Sequence, residues 1–254
     1  MSVHIEERDA ALWATIDRPD ALNAVDYEVM EGLESALDRL ESEAQWRAFV
    51  LTGAGEKCFV SGGDLKKFAD LTTAEQAAEM AGRMKAILAR LEALDCWTIA
   101  CINGDAYGGG CETLLAFDFR VAAEGARFGL TQANFHVTPG WGGLTRLVEA
   151  IGRRQALRWL GEATVVDAER ALQAGLIDRV VPRAALEQSV ISLVERLAEQ
   201  DRELIGALKH GAMQAREMGR TEAIEAELEP FCDLWAGDEH ARRVETFLSR
   251  NDDE

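Results

Sequence analysis

The sequence predicts an α/β fold with a helical region at its C-terminal end, and three observations support this prediction. Apolar strand-like runs alternate with helical periodicity over the first 184 of 254 residues. The last convincing strand, 176–182, ends at a proline, and only helical patterns follow it. Hydrophobic residues make up 48% of the chain, which is enough for a sizeable core. We therefore predict a core over 1–184 and a helical region over 185–254.

Apolar runs predict the strands of the first half of the chain. They lie at 11–16, 48–53, 97–104 and 118–123, and another run at 58–65 enters a glycine loop. Apolar residues at helical spacing predict amphipathic helices over 26–44 and 74–94, and a further helix that starts at residue 111. Strands and helices therefore alternate along this half, as in an α/β protein.

The second half begins with a glycine-rich loop around Trp141 and continues mostly as helix. Helical patterns lie at 144–151, 153–160 and 167–174. Beyond residue 184, several large apolar side chains have no core of their own. We expect this region to pack on the core or on another subunit, with oligomerisation the favoured explanation.

Charge and composition exclude several classes of partner. The 27 basic and 45 acidic residues give a net charge of −18, which argues against nucleic acid or an anionic membrane surface. No segment is long and apolar enough to span a bilayer, and the N-terminus lacks a secretory pattern. Five cysteines without a CxxC pair favour reduced thiols in a cytoplasmic protein over disulfides or a zinc site. We expect no metal.

Two glycine loops share one design, at 61–65 and at 108–112. Each follows an apolar strand and leads into a helix. Glycine lets a ligand approach the backbone closely, and a helix N-terminus offers unpaired N–H groups. Two such loops could direct two amides at one developing oxyanion. Tight turns of an ordinary α/β protein are the alternative, and the pattern alone leaves both open.

Glu112 ends the second loop and lies in the first turn of the predicted helix. Its neighbours one turn on, Leu115 and Ala116, are apolar, so its carboxylate should face inward. Desolvation would raise the pKa of this carboxyl while the helix N-terminus would lower it, a balance suited to an acid or base near neutrality. A helix-capping glutamate is the alternative interpretation.

Six segments, in order, resemble the crotonase superfamily, also called the enoyl-CoA hydratase/isomerase family. The matching segments are RPDALNAVD (18–26), KCFVSGGDLKKF (57–68), INGDAYGGGCE (102–112), FDFRVAAEGARFGL (117–130), TPGWGGLTRLVEAIGRRQALRWLGE (138–162) and DAERALQAGLIDRVVP (167–182). The resemblance implies a spiral of β-β-α units, with C-terminal helices that build homotrimers, commonly paired into homohexamers. It also implies an acyl-CoA thioester substrate, with coenzyme A present as part of that substrate and no other cofactor.

The resemblance also implies roles for individual residues. The backbone N–H groups of Ser61 and Gly109 would form an oxyanion hole for the thioester carbonyl, and Glu112 would be the main acid or base. Asn23, Ala24 and Lys66 lie where family members hold coenzyme A. Two glycines, Gly63 and Gly140, belong to loops that border the substrate. Tyr107 is expected to line the acyl pocket, and Trp141 to form a wall of that pocket or part of the core.

The chain departs from the family pattern at one catalytic position. The family's F-G-x-P-E is here Phe128 to Gln132, so that Gln132 stands where the second glutamate would be. An amide can hold a water or a carbonyl but cannot exchange a proton at neutral pH. We therefore expect weak crotonyl-CoA hydration, and the simple enoyl-CoA isomerases are disfavoured. His136 could serve as a replacement base, although a packed or hydrogen-bonded structural histidine is the favoured interpretation.

Three functions remain open at this stage. The first is an acyl-CoA lyase or isomerase that works through an enolate with a single glutamate. The second is decarboxylation of a malonyl-type acyl-CoA, because the stretch 139–152 also resembles the ethylmalonyl-CoA decarboxylase branch. The third is a non-catalytic acyl-CoA-binding protein that kept the fold.

Overall fold

The computed structural model describes residues 2–251 of the chain. Those up to Glu199 form one compact unit, and those from Gln200 onward form a second. Among the described residues, the first unit contains ten strands and seven α-helices, and the second contains four α-helices. The strands are β1 Val3–Arg8, β2 Ala11–Ile16, β3 Ala48–Gly53, β4 Cys58–Val60, β5 Trp97–Ile102, β6 Asp105–Tyr107, β7 Phe119–Ala123, β8 Arg127–Gly129, β9 Val165–Asp167 and β10 Arg179–Val181. The helices are α1 Tyr27–Ser42, α2 Ala74–Glu92, α3 Gly109–Leu114, α4 Gly143–Ile151, α5 Arg153–Gly161, α6 Ala168–Ala174, α7 Leu186–Leu197, α8 Arg202–Glu217, α9 Arg220–Ala226, α10 Leu228–Ala236 and α11 Asp238–Asn251. The α/β prediction is thereby confirmed.

The larger sheet has the order β1-β2-β3-β5-β7-β10, and it is parallel apart from the β1–β2 hairpin. Successive residues of its strands point to opposite faces, and both faces are covered. Leu12 and Phe49 lie in the core that includes helices α1 and α2, whereas Trp13 and Val50 pack with helix α7. Burial on both faces explains why these strands are continuous apolar runs in the sequence.

Helix α7 falls within the first unit, although the sequence analysis grouped it with the helical region that starts at residue 185. Leu186, Val190 and Val194 are its buried stripe, and they cover the second face of the larger sheet. The helix therefore completes the core. The second unit begins fifteen residues later than the predicted boundary, at Gln200.

The smaller sheet, β4-β6-β8-β9, positions the two glycine loops. Strands β4 and β6 are parallel neighbours, so their carboxyl ends lie at the same edge. Ser61 follows β4, and Gly108 follows β6. The two loops approach so closely that a Cβ built on Gly110 would lie 1.8 Å from the carbonyl oxygen of Val60. Only glycine fits at position 110, which explains one member of the glycine cluster.

The strands that the sequence pattern missed are short or polar. β6, β8 and β9 have three residues each, which is too few to show a period. β1 carries three acidic or basic residues at its exposed edge. The predicted helices agree with the structure within a few residues, and α2 begins with a capping box between Thr73 and Gln76.

The second unit consists of α8 to α11 and exposes an unusual amount of apolar surface. Five large side chains of its last helices are more than half exposed, namely Leu228, Phe231, Trp235, Phe247 and Leu248. Within the described residues, the structure has no helix long and apolar enough to cross a membrane.

Candidate active site

The carboxylate of Glu112 lies at the centre of the candidate site and accepts four hydrogen bonds. Its Oε2 accepts the backbone N–H groups of Trp141 at 2.7 Å and Gly143 at 2.9 Å. Its Oε1 accepts the side-chain amide of Gln132 at 2.9 Å and the backbone N–H of Gly140 at 3.3 Å. The residue is only 2% exposed, so the predicted inward orientation is confirmed.

Three of these four donors lie at or just before the start of helix α4, and the four donors together are called the Glu112 cradle below. Gly143 is the first residue of the helix, and the N–H groups at a helix start have no acceptor inside the helix. They and the positive end of the helix dipole favour a negative charge. A Cβ built on Gly143 would lie 2.2 Å from Cγ of Glu112, so only glycine lets the carboxylate approach.

Burial raises the pKa of the Glu112 carboxyl above its ordinary value, although the hydrogen bonds that the carboxylate accepts lower this pKa. Desolvation is the largest cause, and the hydrogen bonds from Gly143, Trp141, Gln132 and Gly140 oppose it. The sequence analysis expected this opposition but assigned the lowering to the start of Glu112's own helix. The donors in fact come from the loop before helix α4, from the first residue of that helix and from Gln132. A raised pKa suits a group that must both accept and release a proton near neutrality.

Gln132, which stands at the position of the family's second glutamate, contacts the catalytic candidate directly. It lies in a short 3₁₀ turn, Gln132–Phe135, and is 9% exposed. Because a carboxylate only accepts hydrogen bonds, the side chain turns its NH₂ group to Glu112. Its Oε1 is then buried with no hydrogen-bond partner among the described residues. An acceptor without a donor therefore lies next to the carboxylate.

The structure uses the Ser61 amide in a different way from the predicted one. Its N–H donates to the carbonyl of Leu22 at 3.2 Å. The backbone N–H of Val25 donates to the carbonyl of Gly62, and the N–H of Asp64 donates to the carbonyl of Val25. In this parallel pairing, the N–H and C=O of Gly63 point away from Val25. Among the described residues, the structure gives the Gly63 N–H no backbone acceptor.

Gly109 lies beside this first loop. It is the first residue of α3, and its N–H has no acceptor inside the helix. A Cβ built on Gly62 would lie 3.0 Å from the nitrogen of Gly109, which shows how close the loops are. The two amides directed away from structural partners are therefore those of Gly63 and Gly109, and the predicted assignment of Ser61 is replaced by its neighbour.

Trp141 and Tyr107 flank the loops in different ways. The indole of Trp141 is 5% exposed, and it lies 2.2 Å from a Cβ built on Gly109 and 3.6 Å from one built on Gly63. The hydroxyl of Tyr107 donates to Asp105 at 2.8 Å, and burial with this hydrogen bond raises the pKa of Tyr107 to about 12. The tyrosine therefore stays neutral and directs its polar end to Asp105.

Two of the residues expected to hold coenzyme A, Asn23 and Ala24, form hydrogen bonds inside the protein. Asn23 is 1% exposed, and its amide donates to the carbonyls of Ala54 and Cys58 at 3.0 and 2.7 Å. The carbonyl of Ala24 accepts from Arg18. These side-chain and backbone groups therefore already form hydrogen bonds inside the protein. Lys66 is exposed, so its ammonium group stays available to a ligand.

His136 is exposed and has left-handed backbone geometry, with φ of 58° at the end of the 3₁₀ turn. Its neighbours Phe135 and Val137 are also exposed, at 60% and 58%. The side chain is therefore not packed in the core of the described residues, and the hydrogen-bonded interpretation of this histidine stays a prediction. Gln132 is the member of this turn that the structure brings to Glu112.

The sequence analysis missed an ion pair that supports the Glu112 cradle. Arg146 donates from Nη1 to the carbonyl oxygen of Trp141 at 2.9 Å and from Nε to Glu92 at 2.9 Å. Both side chains are largely buried, with 10% and 20% exposure. The pair joins the end of α2 to the first turn of α4 across 54 positions of sequence, a separation that no local pattern reveals.

The chain is similar to enoyl-CoA hydratases over almost all of its length. The sequence profile of the family described as "Enoyl-CoA hydratase/isomerase" matches residues 6–253. A short-chain-enoyl-CoA hydratase of Clostridium acetobutylicum is 29% identical over 254 residues, which cover 98% of this chain and 95% of that protein. A probable enoyl-CoA hydratase of Mycobacterium bovis, echA8, is 31% identical over 236 residues, which cover 93% and 90%.

Solved structures agree with this similarity. The enoyl-CoA hydratase of Bacillus anthracis matches with a TM-score of 0.94 at 28% identity, covering 98% of this chain and 97% of that one. Pseudomonas aeruginosa DspI matches with a TM-score of 0.93 at 32% identity, covering 98% and 94%. The architecture that the six sequence segments implied is thereby confirmed.

Proposed function

This chain belongs to the enoyl-CoA hydratase/isomerase family, whose substrates are acyl-CoA thioesters, and from this premise we propose that it adds water reversibly to a 2-enoyl-CoA thioester, with Glu112 as the carboxylate that moves the proton. The observation that carries the proposal is the buried Glu112 carboxylate with the amide of Gln132 beside it. The hydratase activity named for its relatives supports the choice of reaction.

The thioester oxygen binds to the N–H groups of Gly63 and Gly109 in this proposal. Negative charge develops on this oxygen when the enolate forms, and fixed amides stabilise it without rearrangement. One such donor is worth about 3 kcal/mol in the transition state. Both amides lie at glycines, where a ligand can approach the backbone closely.

Glu112 performs both proton transfers. Its carboxylate takes a proton from water as the water oxygen bonds to the β-carbon, and it then returns that proton to the α-carbon of the enolate. The bond from Gly140 is the longest of the four at 3.3 Å, so it is the one that an entering water displaces. The unpartnered Oε1 of Gln132 accepts a hydrogen bond from the O–H group that the water keeps. No metal or further cofactor enters this reaction.

Decarboxylation of a malonyl-type acyl-CoA is the second candidate, and the amide at position 132 favours it. Loss of CO₂ leaves the same enolate in the same amide pair, and one proton donor then suffices. A base to activate water is not needed. Retention of the fold for acyl-CoA binding without chemistry is the third candidate.

The test compares two substrates with wild type and Glu112→Gln. Hydration removes the absorbance of the conjugated thioester of crotonyl-CoA, whereas decarboxylation releases CO₂ from ethylmalonyl-CoA. We expect slow hydration by wild type and a loss of about 10²- to 10⁴-fold in the variant. Glu169→Gln is the matched control, because Glu169 also lies in the first turn of a helix but is exposed.

The outcomes of this test separate the candidates. CO₂ release without hydration would support the decarboxylase, and neither reaction would support the binding protein. Equal hydration by wild type and Glu112→Gln would contradict the role of the carboxylate.

We also propose that the protein is a homotrimer or homohexamer in the cytoplasm. The exposed apolar side chains of the second unit support oligomerisation. Four of the five cysteines are buried and none of the five is in a disulfide among the described residues, which accords with a reducing compartment. Sedimentation of a monomer at micromolar concentration would contradict the oligomer.

A further inference from the structure

The indole of Trp141 occupies the space next to both amides proposed to bind the thioester oxygen. A Cβ built on Gly109 would lie 2.2 Å from Cζ3 of the ring, and one built on Gly63 would lie 3.6 Å from Cζ2. The ring thus spans the two loops and is 5% exposed. An acyl group whose carbonyl is held by these amides has to extend past this ring.

The backbone of Trp141 is held by hydrogen bonds on both sides. Its backbone N–H donates to Glu112 at 2.7 Å, and its backbone carbonyl accepts from Arg146 at 2.9 Å. Arg146 is itself paired with Glu92. The backbone of Trp141 is therefore held on both sides, and its indole is buried against Gly109.

We propose that Trp141 limits the substrate to short acyl chains, because its indole closes the acyl end of the site beside Gly63 and Gly109. This inference rests on the proposed function, since it uses the same two amides to place the thioester. Each methylene that enters an apolar pocket improves binding by about fourfold. Where the indole fills the pocket, a longer chain has to displace the buried ring, so further methylenes weaken binding.

The test measures binding of saturated acyl-CoA thioesters to the full chain by calorimetry. Acetyl-, butyryl-, hexanoyl-, octanoyl- and decanoyl-CoA have no double bond to hydrate, so their affinity is measured without turnover. We expect wild type to bind butyryl-CoA at least tenfold more tightly than octanoyl-CoA. In Trp141→Ala, affinity should instead rise by about fourfold per methylene until the vacated space is filled. Trp141→Phe should give an intermediate profile.

Trp46→Ala is the matched control. Trp46 is 3% exposed and lies just before strand β3, so the variant loses the same buried side chain at a position outside the site. Its chain-length profile should equal that of wild type.

Three results would overturn the inference. The first is a wild type that binds decanoyl-CoA as tightly as butyryl-CoA. The second is a Trp141→Ala chain-length profile equal to that of wild type. If this variant does not fold, the same comparison is made between Trp141→Phe and wild type. The third is a protein that binds no acyl-CoA of any length, which would overturn the proposed function as well. The first two leave the proposed function intact, so the two failures are distinguishable.

Discussion

Gln132 donates its side-chain amide to the buried carboxylate of Glu112 across 2.9 Å. The two side chains lie twenty positions apart in sequence, on a 3₁₀ turn and on helix α3. The amide has a fixed direction, since the carboxylate can only accept, and this leaves the Oε1 of Gln132 buried without a partner. The pair therefore combines one titrating group with one fixed acceptor, and changes at position 132 should alter the chemistry of Glu112.

Gln132→Leu should raise the pKa of Glu112 above its wild-type value. The amide is one of the donors that lower this pKa against desolvation, so its removal favours the protonated form. The acidic limb of the pH profile of kcat/KM should lie above the ordinary glutamate range in wild type and move to higher pH in the variant. Gln173→Leu, on the exposed side of α6, is the control, and the acidic limb of its profile should lie at the same pH as in wild type. An unchanged limb in Gln132→Leu would show that another group titrates.

Gln132→Glu should raise crotonyl-CoA hydration by about 10²-fold or more. A second carboxylate can activate water while Glu112 handles the α-proton, and one acid–base group contributes about 10²- to 10⁴-fold. At the distance of the present hydrogen bond, the two carboxylates would have to share a proton at low pH, and one pKa of the pair would rise. The gain should therefore be largest on the alkaline side of the profile. No gain at any pH would refute the interpretation of Gln132 as a lost catalytic group.

Gly143→Ala should reduce both activity and stability. The added Cβ would lie 2.2 Å from Cγ of Glu112, so the carboxylate has to leave at least part of its cradle. We expect a fall in kcat of at least about 10²-fold and a stability loss of about 1–3 kcal/mol, as for overpacking of a core. Urea unfolding and steady-state kinetics would measure the two effects.

Gly82→Ala is the control for that substitution. Gly82 lies within α2, and a Cβ built there meets no atom within 4 Å. Alanine is the better helix former by about 0.5–1 kcal/mol, so this variant should be slightly more stable and equally active. If Gly143→Ala and Gly82→Ala had the same kcat and the same stability, the close approach of Gly143 to Glu112 would not matter for activity or folding.

The sequence predicted the identity of the site better than its geometry. Glu112 follows a glycine cluster and has apolar neighbours one turn on, so its burial could be inferred. The family pattern identified Gln132 as the residue at the second glutamate's position, and the structure shows its contact with Glu112. The direction of the Ser61 amide could not be inferred, because it depends on the pairing of 61–64 with residues 22–25, a tertiary contact. The exposure of His136 was not predicted for a related reason. Apolar neighbours suggested packing, but the 3₁₀ turn exposes all three side chains.

The ion pair of Arg146 with Glu92 should support catalysis through the backbone of Trp141. Arg146→Met removes the donor to the Trp141 carbonyl and leaves Glu92 largely buried without its partner. The cost to the free energy of unfolding should be about 3 kcal/mol, since an uncompensated charge remains. The kcat should fall more than KM changes, because the cradle of Glu112 loosens while the loops that hold the thioester stay in place.

The double variant Arg146→Met/Glu92→Leu separates positioning from stability. Removing both charges eliminates the uncompensated carboxylate, so unfolding in urea should return most of the way to wild type. The carbonyl of Trp141 still lacks its donor, so kcat should stay low. Recovery of stability and kcat together would mean that the pair matters only for folding. Because the peptide of Trp141 joins Arg146 on one side to Glu112 on the other, we expect stability to recover without catalysis.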